Sequence, residues 1–378
     1  MSYTMFLAEL TVKTPLVIGS RVSKNWYAYT NPSIINGRIL WGTILSIVAE
    51  MKPEIAEQEH LNPSIALSSL IHIDDCSLCI PSHPFNFKCK TDSKVIYVDG
   101  KTLYDKITKG YKEIIELIQE NILSSCKIEL RSNENVYSLS VGKGLITPVR
   151  GLIKKSDKEF ITCSKPKTVS IEMVAIDKGT RSAKREMLFT YEAIPEGTKY
   201  YSLIVGPSSR LNEILDALKA RPGEKITFRM GRGVSRGYGI IDIVFYEKTR
   251  LLDEANRYYS ESLDNGVVVL YSLSPVIRLD ISGSSEYSSI PVLSGLSIRD
   301  GGVYSTGTLI IKGWSRLYNT PTPTLRALMP GTVIAYEVRD RDKLPGHVGE
   351  LIVKMQRLGG PGLNFLIPIQ VIEKLIER

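Results

Sequence analysis

Apolar and polar positions alternate from the start of the chain. Phe6, Ala8, Leu10 and Val12 interleave with Leu7, Glu9, Thr11 and Lys13, and a period of two predicts a strand with one face in a core. From about Gly37 to Met51 the period changes. Trp41, Ile44, Leu45 and Val48 fall at i, i+3, i+4 and i+7, the buried stripe of a helix. Tyr200 to Val205 reads as a strand. Pro207-Ser208-Ser209 then opens a helix whose Leu211, Ile214, Leu215 and Leu218 share a face, and Arg221-Pro222-Gly223-Glu224 closes it as a turn. Two β-like runs follow, Lys225 to Phe228 and Ile240 to Phe245, and another helix is expected near Tyr111 to Leu123. Further β-rich runs lie at Gly266 to Leu270, Thr308 to Gly313 and Thr332 to Val338.

A strand and helix, then later a strand, a helix and a strand, fit a ferredoxin-like βαββαβ unit. The expected fold class is therefore α+β, with two ferredoxin-like (RRM-like) domains. The first covers residues 1–258 with a large insertion at about 54–166, and the second, more diverged, covers 259–378. Each ends in a glycine-rich loop: Arg229 to Gly239 in the first, and Leu358-Gly359-Gly360-Pro361-Gly362-Leu363-Asn364 in the second.

The chain has 378 residues, enough for two domains, and 43% of them are hydrophobic, which excludes a disordered chain. The formal charge of +8 favours an acidic partner without naming one. No apolar run approaches the ~20 residues that span a bilayer. The N-terminus lacks the basic segment and cleavage site of a signal peptide, so a cytoplasmic chain with no membrane partner is expected. The five cysteines are an odd number, which argues against a disulfide framework, proteins of thermophiles being the exception.

Chemistry concentrates in the first loop, where four glycines, three arginines and a serine share eleven residues. Free N–H groups in such a loop form an anion-binding concavity, and guanidiniums beside it suit phosphate. Arg229, Gly231, Arg232, Gly233, Ser235, Arg236, Gly237, Tyr238 and Gly239 are the candidates, with Tyr238 either stacking on a base or packing. A second basic cluster, Lys178, Arg181, Lys184 and Arg185, lies between two strand-like runs and suits a hairpin that crosses a nucleic-acid strand. A third places aromatics beside cations: Trp26, Tyr27 and Tyr29 near Arg21 and Lys24. Cys76 and Cys79, spaced as C-x-x-C, are half of a zinc site that His83, Cys89 or Cys126 would complete, so a structural zinc ion is a candidate cofactor. Catalysis has little support. Asp177, beside the basic cluster, is the best candidate for metal-assisted cleavage, with Asp74 and Asp75 next.

The ordered set resembles the RAMP superfamily, the repeat-associated proteins of CRISPR systems. Thr14-Pro15-Leu16-Val17-Ile18-Gly19-Ser20 is similar to the exit of the family's first strand. Ile35-Asn36-Gly37-Arg38-Ile39-Leu40-Trp41-Gly42 resembles its helix start, although a proline often stands where Asn36 does. Gly231 to Gly239 resembles its main glycine-rich loop. Val174 to Arg181 with Met187 to Glu192, Lys312-Gly313-Trp314 and Pro330-Gly331-Thr332-Val333 resemble the large RAMP subunits of type III-D effectors. The resemblance implies a structural RNA-binding subunit that holds the five-prime handle of a guide RNA. Arg38 joins the RNA-binding candidates, and target RNA and neighbouring subunits join the partners. The implied alternative is an endoribonuclease of the same superfamily. None of His60, His72, His83 and His347 lies in the first helix, where such processing enzymes often place theirs. The second loop lacks the arginines of the first, which points it toward protein rather than RNA.

Overall fold

The computed structural model describes residues 2–18, 21–22, 28–29, 32–89, 94–110, 112–117, 119, 127–132, 135–140, 146–157, 159–176, 179–278, 290–315 and 320–376. It is a mixed α/β protein with several antiparallel sheets.

The elements that frame the first sheet are β1 (Tyr3–Val12), α1 (Arg38–Met51), β2 (Leu70–Asp74), β3 (Lys199–Pro207), α2 (Ser208–Ala217), β4 (Lys225–Arg229) and β5 (Ile240–Glu247). Their order across the sheet is β4-β5-β1-β3-β2, with Ile34–Ile35 beyond β2. Neighbours run antiparallel, with Phe6 opposite Ile204 and Ala8 opposite Phe245. The expected stripe of α1 is largely realised: Leu40, Trp41, Ile44 and Val48 are buried on Phe6, Leu10, Ile204 and Phe245, and Leu45 packs at the margin. Leu211, Ile214 and Leu215 of α2 complete this layer. Burying each such side chain contributes about 1.5–3 kcal/mol.

A long helix, α3 (Thr249–Asp264), leads to β6 (Val267–Ser272), β7 (Leu296–Tyr304), β8 (Val333–Val338), α4 (Val348–Arg357) and β9 (Leu366–Pro368). These four strands form a second antiparallel sheet in the order β7-β8-β6-β9. Val348, Leu351, Ile352 and Met355 of α4 join one core with Met5, Leu7, Tyr201, Leu203 and Val205 of the first sheet and Val268 and Leu270 of the second. The first sheet is thus buried on both faces. Alternation in β1 predicts one buried face, but Met5 and Leu7 on the other are covered by the second unit.

Leu70–Asp74 lies inside the range 54–166 yet pairs with β3 as part of the first sheet. After it, residues 80–162 supply a separate six-stranded sheet. The limit at 258 falls inside α3, whose Leu252, Ala255, Tyr259 and Leu263 are buried. Within the helix expected near 111–123, residues 112–117 are helical and Ile114 and Leu117 are buried.

A polar seam joins the two sheets. Gln356 Oε1 accepts from the N–H of Leu67 (2.9 Å) and of Gly362 (3.2 Å), while its Nε2 donates to Ile65 O at 2.9 Å. The N–H of Ser69 donates to Ser274 Oγ at 2.8 Å. A Cβ on Gly37, at the start of α1, would stand 3.1 Å from the Cα of Gly362. The second glycine-rich loop is largely internal: Gly359, Gly362, Leu363 and Asn364 are buried, and Gly362 lies against Gly37 and Arg38 of the first unit.

Candidate nucleic-acid interface

Two extended runs bracket the first loop, because Lys225 to Arg229 pairs in register with Ile240 to Val244. Backbone sterics then dictate its glycines. Gly239 has φ +71°, and a Cβ there would overlap Met230 O. Gly231 has φ +88°, and a Cβ would stand 2.5 Å from Val17 O. Only glycine fits both demands.

Part of the expected concavity of N–H groups is used internally. Arg232 N–H donates to Val17 O (2.9 Å), Gly239 N–H to Pro15 O (3.0 Å) and Met230 N–H to Gly239 O (2.8 Å). Arg236 and Tyr238 donate to Gly233 O, and Gly237 to Val234 O. The glycines shape and lock the loop. Arg229, Arg232, Ser235 and Arg236 are all exposed. The ring of Tyr238 covers Gly233, whose Cβ position is 2.9 Å from it, so the tyrosine packs on its own loop. Asp242 on β5, the acid nearest in sequence, is engaged by Thr227 Oγ1 at 2.7 Å and Lys225 Nζ at 3.4 Å. Burial alone would raise its pKa, but these two partners outweigh it and hold the carboxyl low.

The three sequence candidates converge. Val169–Ile176 and Ala183–Ala193 form the expected hairpin, and Ala28–Tyr29 pairs with it at Tyr191, with Arg21–Val22 beyond. The hairpin base is bridged to Leu16 through Ile194, and the loop to Val17 through Arg232. Arg236 Nη1 reaches Met173 Sδ on the hairpin at 3.2 Å. Met173 carries no sequence signal for this contact. Arg181 is exposed at the hairpin turn with φ +50°. The side chains of Lys184 and Arg185, and Lys24, Tyr27, Asp177 and Lys178 altogether, lie outside the described residues.

Arg38 is not part of this cluster. It sits at the seam, its guanidinium 3.3 Å from where a Cβ on Gly360 would be, and burial lowers its pKa.

The cysteine reading is corrected. Cys79 is bonded to Cys163, 84 residues away, which removes its thiol from any zinc set with Cys76, His83 and Cys89 and replaces the expected free thiols. His83 is buried with Nε2 3.1 Å from Val98 O, and burial pushes its pKa down to about 4, so the ring is neutral. Cys76 is exposed, and the Cys89 side chain lies outside the described residues. Beside the disulfide, the mostly buried Lys154 and Asp74 pair at 2.9 Å, and Ser164 N–H donates to Asp74 Oδ2 at 2.8 Å. Burial would raise the pKa of Asp74, but these partners bring it below the ordinary carboxylate value. Asp74 is thereby a structural acid. Closing so long a loop restricts the unfolded chain, and such bonds contribute about 2 kcal/mol or more. Cys163→Ala is accordingly expected to lower the unfolding free energy of the oxidised protein by ~2 kcal/mol in a denaturant titration. An equal loss on adding reductant to the parent, and none in the variant, checks the origin.

The family model of the RAMP superfamily matches residues 9–242, more than half of the chain, and the chain belongs to that superfamily. It is similar to a chain in the cryo-EM structure of the type III-B Cmr-beta bound to cognate target RNA and AMPPnP. There the identity is 11% and the TM-score 0.42, covering 87% of this chain and 86% of that one. It is also similar to a chain of the Csm3-Csm4 subcomplex of the type III-A CRISPR-Cas interference complex, at 15% identity and TM-score 0.39, covering 89% and 96%. Oligomeric Cmr4 from Pyrococcus furiosus is similar at 15% identity and TM-score 0.28, covering 66% and 100%. No curated protein matches the sequence. Among the described residues, no helix is long and apolar enough to cross a membrane.

Proposed function

We propose that this RAMP protein is an RNA-binding structural subunit of a type III CRISPR effector, built from two ferredoxin-like units that divide at the end of α3. The antiparallel orders β5-β1-β3-β2 and β9-β6-β8-β7 support the two units, since each places the first and third strands at the centre. The observation that carries the function is the loop itself. Exposed Arg232 and Arg236 stand on a glycine-locked turn that is bridged to Val17 and touches the hairpin at Met173. Such a rigid cationic ledge grips a phosphodiester backbone, because fixed guanidiniums lose little entropy on binding.

The resemblance further suggests a guide RNA, held near its five-prime handle, with target RNA and other effector subunits close by, in the cytoplasm. Bases are not read on the open sheet face, as single RRM domains do, because the second unit covers that face. The nuclease alternative rests on Asp177, outside the described residues, and no observation favours it. Filter binding of guide RNA to the purified chain tests the proposal. The expected result is an affinity that falls steeply with salt, by about 0.7 in log–log slope for each phosphate contacted on a single strand. Binding that is absent, or indifferent to salt, would overturn it.

A further inference from the structure

The two units repeat each other bond for bond. In the first, Val12 N–H donates to Thr198 O (3.0 Å) and Gly197 N–H to Val12 O (2.9 Å); in the second, Ser272 N–H donates to Thr332 O (2.9 Å) and Gly331 N–H to Ser272 O (2.8 Å). Leu16 and Ile194 exchange two backbone bonds, as do Val276 and Leu328. Gly239 N–H donates to Pro15 O at 3.0 Å, and Asn364 N–H to Pro275 O at 3.0 Å. Thr198 Oγ1 donates to Pro195 O, and Thr332 Oγ1 to Met329 O. Matched residues keep constant register within each segment. Under this register the hairpin Val169–Ala193 of the first unit has one counterpart, Thr308–Ser315 with Thr320–Leu328, leaving the second sheet between β7 and β8.

That counterpart has the stronger charge. Residues 169–193 hold four basic and four acidic side chains, whereas residues 301–336 hold Lys312, Arg316 and Arg326 and no acid at all. Its two faces are distinct. Leu309, Ile311, Leu325 and Ala327 pack on Ile277 and Leu363. The opposite face presents exposed Thr308, Ile310, Lys312, Thr324 and Arg326 to solvent, with Ile310 directly across from Arg326 and 63% exposed. A basic strip with no acid in its own segment, and an apolar side chain on which a base can rest, suits single-stranded nucleic acid.

We propose that the hairpin Thr308–Leu328 is a second contact for single-stranded RNA, separate from the first loop, gripping the phosphodiester backbone through Lys312 and Arg326. The proposal rests on the RNA-binding reading above. Its test is fluorescence anisotropy with labelled single-stranded RNAs of graded length, using the full chain, Lys312→Ala with Arg326→Ala, and Arg232→Ala with Arg236→Ala. The hairpin variant is expected to lose about tenfold in affinity on long RNAs and nothing on the shortest that bind, with its salt slope smaller by ~1.4. A hairpin variant equal to the parent at every length, beside a loop variant that fails, overturns the hairpin and leaves the function standing. A parent that binds no RNA overturns both. Unchanged RNA affinity with loss of a protein from the native complex assigns the strip to a protein partner and also overturns the proposal. Lys312→Gln with Arg326→Gln repeats the test should the alanine variant melt early.

Discussion

Asn364→Ala is expected to lower the unfolding free energy by about 3–5 kcal/mol, the sum of several buried groups left unpaired. Asn364 Nδ2 donates to Ile277 O at 2.7 Å and to Met355 O at 3.1 Å, and its Oδ1 accepts from Ile277 N–H at 2.8 Å. All three bonds are fully buried, and alanine would return none of them. The backbone adds to the cost, because Asn364 has φ +53°, a region that asparagine tolerates better than alanine. Denaturant unfolding of the purified chain measures the effect, and a change below ~1 kcal/mol would mean that the loop is not held as described. Sequence alone cast this loop as a binding surface; its buried asparagine ties it to Ile277 and Met355 within the second unit.

Arg232→Ala combined with Arg236→Ala is expected to weaken RNA binding about 100-fold, equivalent to ~2.7 kcal/mol. Hydrogen bonds to charged groups contribute about 1.5–3 kcal/mol each, and exposure to solvent and salt puts these two toward the lower end. The fold should be untouched, because both side chains are exposed and the loop is held by backbone bonds that alanine keeps, among them Arg232 N–H to Val17 O. That separation matters for reading the result. An affinity loss with an unchanged melting curve belongs to the guanidiniums. Gly239, by contrast, cannot be replaced without moving Met230, so a substitution there reports on loop shape and affinity together.

Much of this architecture was legible in the residues. Period-two alternation located β1, and the stripes of α1 and α2 gave their buried faces almost residue for residue. The glycine and arginine density marked the loop. What sequence could not show was the other face of each element. Leu7 reads as a break in alternation until α4 is seen to cover it. Leu70–Asp74 is too short to stand out, although it completes the first sheet. In α3 the charged residues obscure Leu252, Ala255, Tyr259 and Leu263, whose spacing is helical once sought. The disulfide partner of Cys79 lies 84 residues away, a distance at which spacing carries no information, whereas the nearby C-x-x-C invites a zinc reading. The fate of the loop's N–H groups was equally invisible, because it depends on carbonyls of Pro15 and Val17 brought in by the fold.

The most direct test of the central claim, that the loop grips RNA through its arginines, is the salt dependence of guide-RNA binding for the parent and for Arg232→Ala with Arg236→Ala. If both arginines meet phosphates, the variant's log–log slope should be smaller by about 1.4, alongside its lower affinity. Equal slopes and equal affinities, with both proteins folded, would contradict the claim.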